Sequence, residues 1–114
     1  MDIRIKRIYA PVAKDDGYRL LVDRLWPRGM TNEEARVDEW LKEVGPSTAL
    51  RKWFGHEPRK YPAFKQRYKA ELKALPELLA HIRGRAELGR VTLLYGAKDE
   101  QHNQALVLRE VLLG

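Results

Sequence analysis

The side chains best suited to chemistry fall into four clusters. The first is Asp23-Arg24-Leu25-Trp26-Pro27-Arg28-Gly29. Two arginines flank a Trp-Pro break where the chain leaves an apolar run, and a guanidinium fork there can clamp a phosphate or carboxylate. The competing reading is an Asp23–Arg pair that holds the loop, with Trp26 as packing. The second cluster is Tyr95-Gly96-Ala97-Lys98-Asp99, followed by Glu100-Gln101-His102-Asn103 at the start of a helical stretch. Gly96 permits close backbone approach, and the free N–H groups of a helix start attract anions. Tyr95 offers a hydroxyl, and His102 or Asn103 a proton-transfer or hydrogen-bonding group. Against this, Asp99 is placed to cap the helix and would compete with a bound anion.

The third cluster runs from Pro46 to His56. Ser47, the only serine, lacks a Gly-x-Ser-x-Gly elbow and reads as a helix cap rather than a nucleophile. His56 follows Gly55, a natural helix stop, and can reach a cleft as a proton carrier; a lone histidine is more often a structural hydrogen-bonder. The fourth cluster is a stripe of Lys65, Lys69 and Lys73 at i, i+4, i+8, which suits a phosphate backbone or simply a solvated helix face. His56, His81 and His102 have no metal-ligand spacing and there are no cysteines, so no metal site is expected. Neither a Walker loop nor G-x-G-x-x-G is present, and no cofactor is expected.

The elements that must position these groups follow from periodicity. Strands are predicted over 3–9, 18–25 and 91–97; the last two have continuous apolar centres, as in strands buried on both faces. Asp15-Asp16-Gly17 marks a turn, which leaves open a hairpin between the first two strands. Thr31 and Glu34 have capping-box spacing, and Val37, Trp40, Leu41 and Val44 predict a helix ending at Gly45-Pro46. Further helices are predicted from Ser47 through Phe54, from about Tyr61 to Leu75, from Pro76 to Leu88, and from about Glu100 to Leu113. Asp99 would cap the last, with Leu106, Val107, Val111 and Leu112 facing the core. Strand, strand, helices, strand, helix reads as an α/β fold: one compact domain over residues 1–114, with a small, mostly parallel central sheet flanked by helices. In such a sheet, ligands bind beyond the carboxyl ends of the strands.

Composition narrows the setting. With 114 residues, 44% hydrophobic and 33% charged, the chain can bury one core without staples. The absence of cysteine excludes disulfides and a thiol nucleophile. No apolar run approaches ~18 residues, and no signal-peptide pattern opens the chain, so a soluble cytoplasmic protein without membrane contact is expected. The net charge of +6 is confined to residues 51–73, where eight basic side chains face two acidic ones; the remainder is neutral. That segment suits an acidic partner or plain solubility.

The run Leu21-Val22-Asp23-Arg24-Leu25-Trp26-Pro27-Arg28-Gly29 carries a resemblance, with Trp40-Leu41-Lys42, Pro46-Ser47, Leu50-Arg51-Lys52-Trp53-Phe54, Arg67-Tyr68, Glu71-Leu72 and Thr92-Leu93-Leu94-Tyr95. The chain resembles the YeaO-like branch of a widespread prokaryotic domain-of-unknown-function family. The resemblance implies a compact α/β domain and no particular reaction. A sister branch has a cysteine near the end of the corresponding strand and Cys-His-Arg in the next helix. Here Tyr95 and His102-Asn103-Gln104 stand near those places, so thiol or metal chemistry does not carry over.

The leading expectation is a small anionic ligand, phosphate- or carboxylate-bearing, at the carboxyl ends of the second and third strands. Arg24 and Arg28 would hold it, Tyr95, Asp99 and Asn103 would orient it, and His56 would move protons if there is catalysis. The alternatives are a nucleic-acid-binding or regulatory module using Lys65, Lys69 and Lys73, and an interaction protein with no ligand.

Overall fold

A computed structural model describes all 114 residues. Four parallel strands form one sheet in the order β1-β4-β2-β3, with β1 at Ile3–Arg7, β2 at Tyr18–Leu21, β3 at Glu39–Trp40 and β4 at Val91–Tyr95. The continuous apolar run of β4 fits its central place, since all five of its residues are buried. β1 and β2 flank β4 and do not pair with each other, so the Asp15-Asp16-Gly17 turn closes no hairpin. Instead Lys14–Asp16 makes a single 3-10 turn, and all the strands end at the same edge of the sheet.

The helices are α1 (Asn32–Ala35), α2 (Thr48–Phe54), α3 (Tyr61–Lys73), α4 (Pro76–Leu88) and α5 (Gln104–Leu113). One face of the sheet, with Ile3, Leu20, Val22, Val91, Leu93 and Tyr95, packs against α2 to α5 through Leu50, Phe54, Phe64, Tyr68, Leu72, Ile82 and Leu108. The alternation of side chains sends Ile8, Leu21 and Leu94 to the other face. There they meet only Ala35 and the partly buried Trp26, Met30 and Val37.

Two predicted helices are corrected. The 37–44 stretch is not helical: α1 ends in a left-handed Arg36 (φ 45°), and the chain then lies along β2 as β3. Asp38 N–H donates to Arg19 O and Leu41 N–H to Leu21 O, which satisfies the outer edge of β2. The apolar spacing there comes from a short strand followed by a 3-10 turn at Lys42–Val44. The last helix starts at Gln104, because the Asn103 side chain accepts the Leu106 N–H and caps it. Its buried face is Ala105, Val107, Leu108 and Leu112, while Leu106 and Val111 are half-buried. The second strand also stops short, at Leu21, before the chain turns away at Asp23.

The thinly covered face holds a buried polar network. Asp16 accepts from Arg19 (2.6 Å), Lys6 (2.9 Å) and the Ala13 N–H (3.0 Å), and its carbonyl accepts the Thr92 hydroxyl. Arg19, 4% exposed, also donates to the Ala35 and Arg36 carbonyls, so it pins α1 onto the sheet. Burial disfavours the Asp16 carboxylate, but the Ala13 N–H, Lys6 and Arg19 outweigh it and hold its pKa below the usual range. Because the folded pKa lies below the unfolded one, this stabilisation is present above the unfolded value and is lost as pH falls through the folded value. Replacing Asp16 with Ala leaves Arg19 and Lys6 without their carboxylate. We expect a loss of about 3 kcal/mol in urea unfolding at pH 7, with the gap from wild type shrinking on acidification below about pH 4.

Candidate functional site

The segments leaving β2 and β4 meet at the carboxyl edge of the sheet. The Asp23 carboxylate accepts the Gly96 N–H at 2.8 Å through one oxygen and the Gln104 side-chain amide through the other. Gly96 allows this approach: a Cβ there would lie 3.0 Å from Asp23 Oδ2. A cavity of about 280 Å³ opens beside this contact. Its lining includes Arg24, Arg28, Arg51, His56, His102, Asn103 and Gln104 together with Asp23, Tyr9 and Trp26. Three arginines and one carboxylate-bearing residue thus line the same cavity.

The arginines have different duties. Arg24 donates through Nε to Pro46 O and through Nη2 to Gly45 O, both at 2.9 Å, so most of its fork anchors the entry to α2. Neither Arg24 nor Arg28 pairs with Asp23, which corrects the expected loop-holding ion pair. Arg28 is exposed at the rim, and its carbonyl accepts the Tyr9 hydroxyl at 2.8 Å. Arg51 lies on α2, and its Nε is buried with no acceptor in the protein.

The orientation of α2 is set from its N-terminus. Ser47 Oγ accepts the Leu50 N–H and donates to Glu71 at 2.6 Å, while the Ser47 N–H donates to the same carboxylate. Ser47 is therefore a cap. The Tyr68 hydroxyl, fully buried, donates to Val44 O at 2.6 Å just upstream. At the other end Gly55 (φ 55°) closes the helix, and His56 follows in the same left-handed region (φ 57°). That conformation is uncommon for a side-chain-bearing residue, and it turns the exposed His56 to the cavity.

On the β4 side, Asp99 does not cap α5 and does not line the cavity. One of its oxygens accepts the Gln101 and His102 N–H groups, and the other meets His102 Nδ1 at 2.8 Å. The Gln101 N–H and His102 hold the Asp99 pKa below the usual carboxylate range. With Nδ1 engaged and the ring set edge-on to Tyr61, His102 keeps Nε2 for another partner. Asn103 lines the cavity, but its side chain is occupied by Leu106 N–H and Asp99 O. Tyr95, 1% exposed, belongs to the main core and lies outside the lining; burial raises its pKa.

Arg24, Arg28, His56 and Asn103 thus come together, while Tyr95 and Asp99 stand behind the cavity wall. Arg51, Tyr9 and Gln104 join them without having been singled out as site residues. Arg51 had been counted with the basic segment, because a seven-residue helix carries too little periodicity to tell which face an arginine occupies. The lysine stripe sits elsewhere: Lys65 and Lys69 both contact Glu110, and Lys73 is exposed. No group of three or more His, Asp or Glu side chains is arranged to hold a metal ion.

Asp23 is the unusual acid of the site. Burial pushes its pKa up to about 6, although the Gly96 N–H, Gln104 and the charges of His56 and Arg51 favour ionisation. A raised folded pKa means that this group weakens the fold as pH rises from the ordinary carboxylate range, about pH 4, through about 6. Asp23→Asn keeps a hydrogen-bonding amide in place and removes the titration. Urea unfolding should show the variant gaining on wild type across that window and a constant difference above it. A difference that does not change with pH would contradict the assignment.

The family model described as the inactive DUF488-N3 subclade matches residues 2–114. The uncharacterised protein YeaO of Escherichia coli K12 is 46% identical over 112 residues, covering 98% of this chain and 97% of its own length. Uncharacterised proteins of Mycobacterium bovis (Mb3100c) and Mycobacterium tuberculosis (Rv3073c) are each 37% identical, over 98% of this chain and 94% of theirs. No solved structure matches. With both the family model and full-length relatives spanning the chain, it belongs to the DUF488-N3i family, the inactive DUF488-N3 subclade.

Proposed function

We propose that the cavity at the carboxyl ends of β2 and β4 binds a small anionic ligand bearing a phosphate or carboxylate. The observation that carries this reading is Arg51, whose buried Nε faces no acceptor in the protein while the side chain lines the cavity. A buried donor left unpaired costs about 1–3 kcal/mol, a cost that an oxyanion reaching it from the cavity would lower. Arg28 at the rim adds a second guanidinium, and the excess of cations over the single Asp23 carboxylate gives the cavity the sign an anion needs.

Binding without turnover is the simpler form of this reading, and the description of the family as inactive fits it. Any proton exchange with the ligand would fall to His56, or to His102 with Asp99 behind it. Lys65 and Lys69 share the single Glu110 carboxylate, which cancels one of the three charges of the lysine stripe, and the stripe does not line the cavity.

Isothermal titration with inorganic phosphate and with acetate at low ionic strength tests the proposal. Wild type should bind at least one of them. Arg51→Ala should lose about 2 kcal/mol of the binding energy, close to thirtyfold in Kd. Arg51→Lys, which keeps the charge but not the fork, should fall between. Equal affinity in wild type and Arg51→Ala would refute the assignment, as would no binding of either anion to wild type.

A further inference from the structure

The cavity is not uniformly polar. Beside its guanidiniums it presents Tyr9, Leu25, Trp26 and Pro27. Leu25 is 58% exposed and Tyr9 40%, an unfavourable placement for apolar surface unless something covers it. Both aromatic rings are held in place. The Tyr9 hydroxyl donates to Arg28 O, and the Arg7 guanidinium stacks 5.1 Å from its ring centre while Arg7 Nε is bound to Ala97 O. The Trp26 indole N–H donates to Met30 O at 2.7 Å, and the ring meets Trp40 edge-to-face at 5.4 Å. Fixing the rings in this way lowers the entropy lost when a ligand packs on them.

The apolar side is continuous with the polar floor. The position that a Cβ on Gly96 would take lies 4.0 Å from a Tyr9 ring carbon, 4.0 Å from Pro27 Cβ and 3.0 Å from Asp23 Oδ2. The Tyr9–Arg28 hydrogen bond further joins the aromatic side to the cationic rim. An inorganic anion would use the guanidiniums and leave this preformed apolar surface wet.

We propose that the ligand carries its oxyanion on a flat, apolar ring, so that Arg51 and Arg28 take the phosphate or carboxylate while the ring packs on Tyr9 and Leu25. The inference rests on the anion-binding reading and narrows it from any small anion to aryl-bearing ones. An aromatic ring stacked on a fixed aromatic side chain adds about a fivefold to tenfold gain in affinity.

The test compares two matched pairs, inorganic phosphate with phenyl phosphate and acetate with benzoate, by isothermal titration. The expected result is that in at least one pair the aryl compound binds about five- to tenfold more tightly. Tyr9→Ala and Leu25→Ser should both pull that ratio towards one, whereas Tyr9→Phe, which keeps the ring, should retain most of it. A thermal melt of each variant without ligand separates loss of the ring contact from loss of the fold. Equal affinities within both pairs would overturn the aryl assignment and leave anion binding intact. A ratio that survives both Tyr9→Ala and Leu25→Ser would also overturn it. Failure of inorganic phosphate and acetate both to bind wild type would remove both proposals.

Discussion

The contact between the Asp23 carboxylate and the Gly96 N–H ties together the carboxyl edge of the sheet. In a parallel sheet the strands run in one direction, so the segments leaving them gather at one edge. β2 and β4 are neighbours, and the two segments leaving them meet through this hydrogen bond. Gln104, the first residue of α5, joins the same carboxylate, so the helix start is referenced to the same point. A Cβ at 96 would stand 3.0 Å from Asp23 Oδ2, so the carboxylate would have to give way by a few tenths of an ångström and the contact would loosen. The network on the open face of the sheet acts at a distance by keeping the sheet itself in register. Asp16 and Arg19 bind the turn before β2, the end of α1 and, through Thr92, the start of β4.

Arginine occurs throughout the chain, and what separates the arginines is how much of each fork the protein already uses. Arg19 is engaged at all three nitrogens, by a carboxylate and two carbonyls, and Arg24 at two of its three, by two carbonyls of the loop before α2. Arg67 lies 4.0 Å over the Trp53 ring and covers apolar surface. Arg51 alone combines a buried, unpaired Nε with a place in the cavity lining. Net charge is a poor guide here, since the lysine stripe of the basic segment lies outside the cavity, where Lys65 and Lys69 share the Glu110 carboxylate.

Much of the architecture was legible in the residues. The unbroken apolar run of β4, the Ser47 cap, the Gly55 stop and Pro76 at a helix start each act through local sterics or a local hydrogen bond, and each stands where its residue type implies. The stretch from Val37 to Val44 reads as a helix in sequence because a two-residue strand followed by a 3-10 turn buries side chains at much the same spacing. What decided it was the unpaired edge of β2, a tertiary fact. The placement of Asn103 as the cap instead of Asp99 turned on a similar competition between two acceptors four residues apart. The sequence points to the carboxyl edge as a meeting place, and Arg24, Arg28, His56 and Asn103 do line one cavity there. That Tyr95 turns into the core follows from strand alternation with Leu93, which its polar hydroxyl had obscured.

Two costly features stand close together at this edge. Asp23 is held in surroundings that disfavour its charge, and Arg51 is near enough to act on it, yet no hydrogen bond joins them. A fold shaped only by stability would pair the two, or would place an asparagine at 23, which can accept the same Gly96 N–H without a charge. Local departures of this kind gather where a protein has something to bind. An oxyanion between them would engage the free guanidinium donor and favour protonation of the neighbouring carboxyl, so both costs would fall in one step. That makes proton uptake by Asp23 on ligand binding the thermodynamic signature that separates a binding site from a merely strained loop.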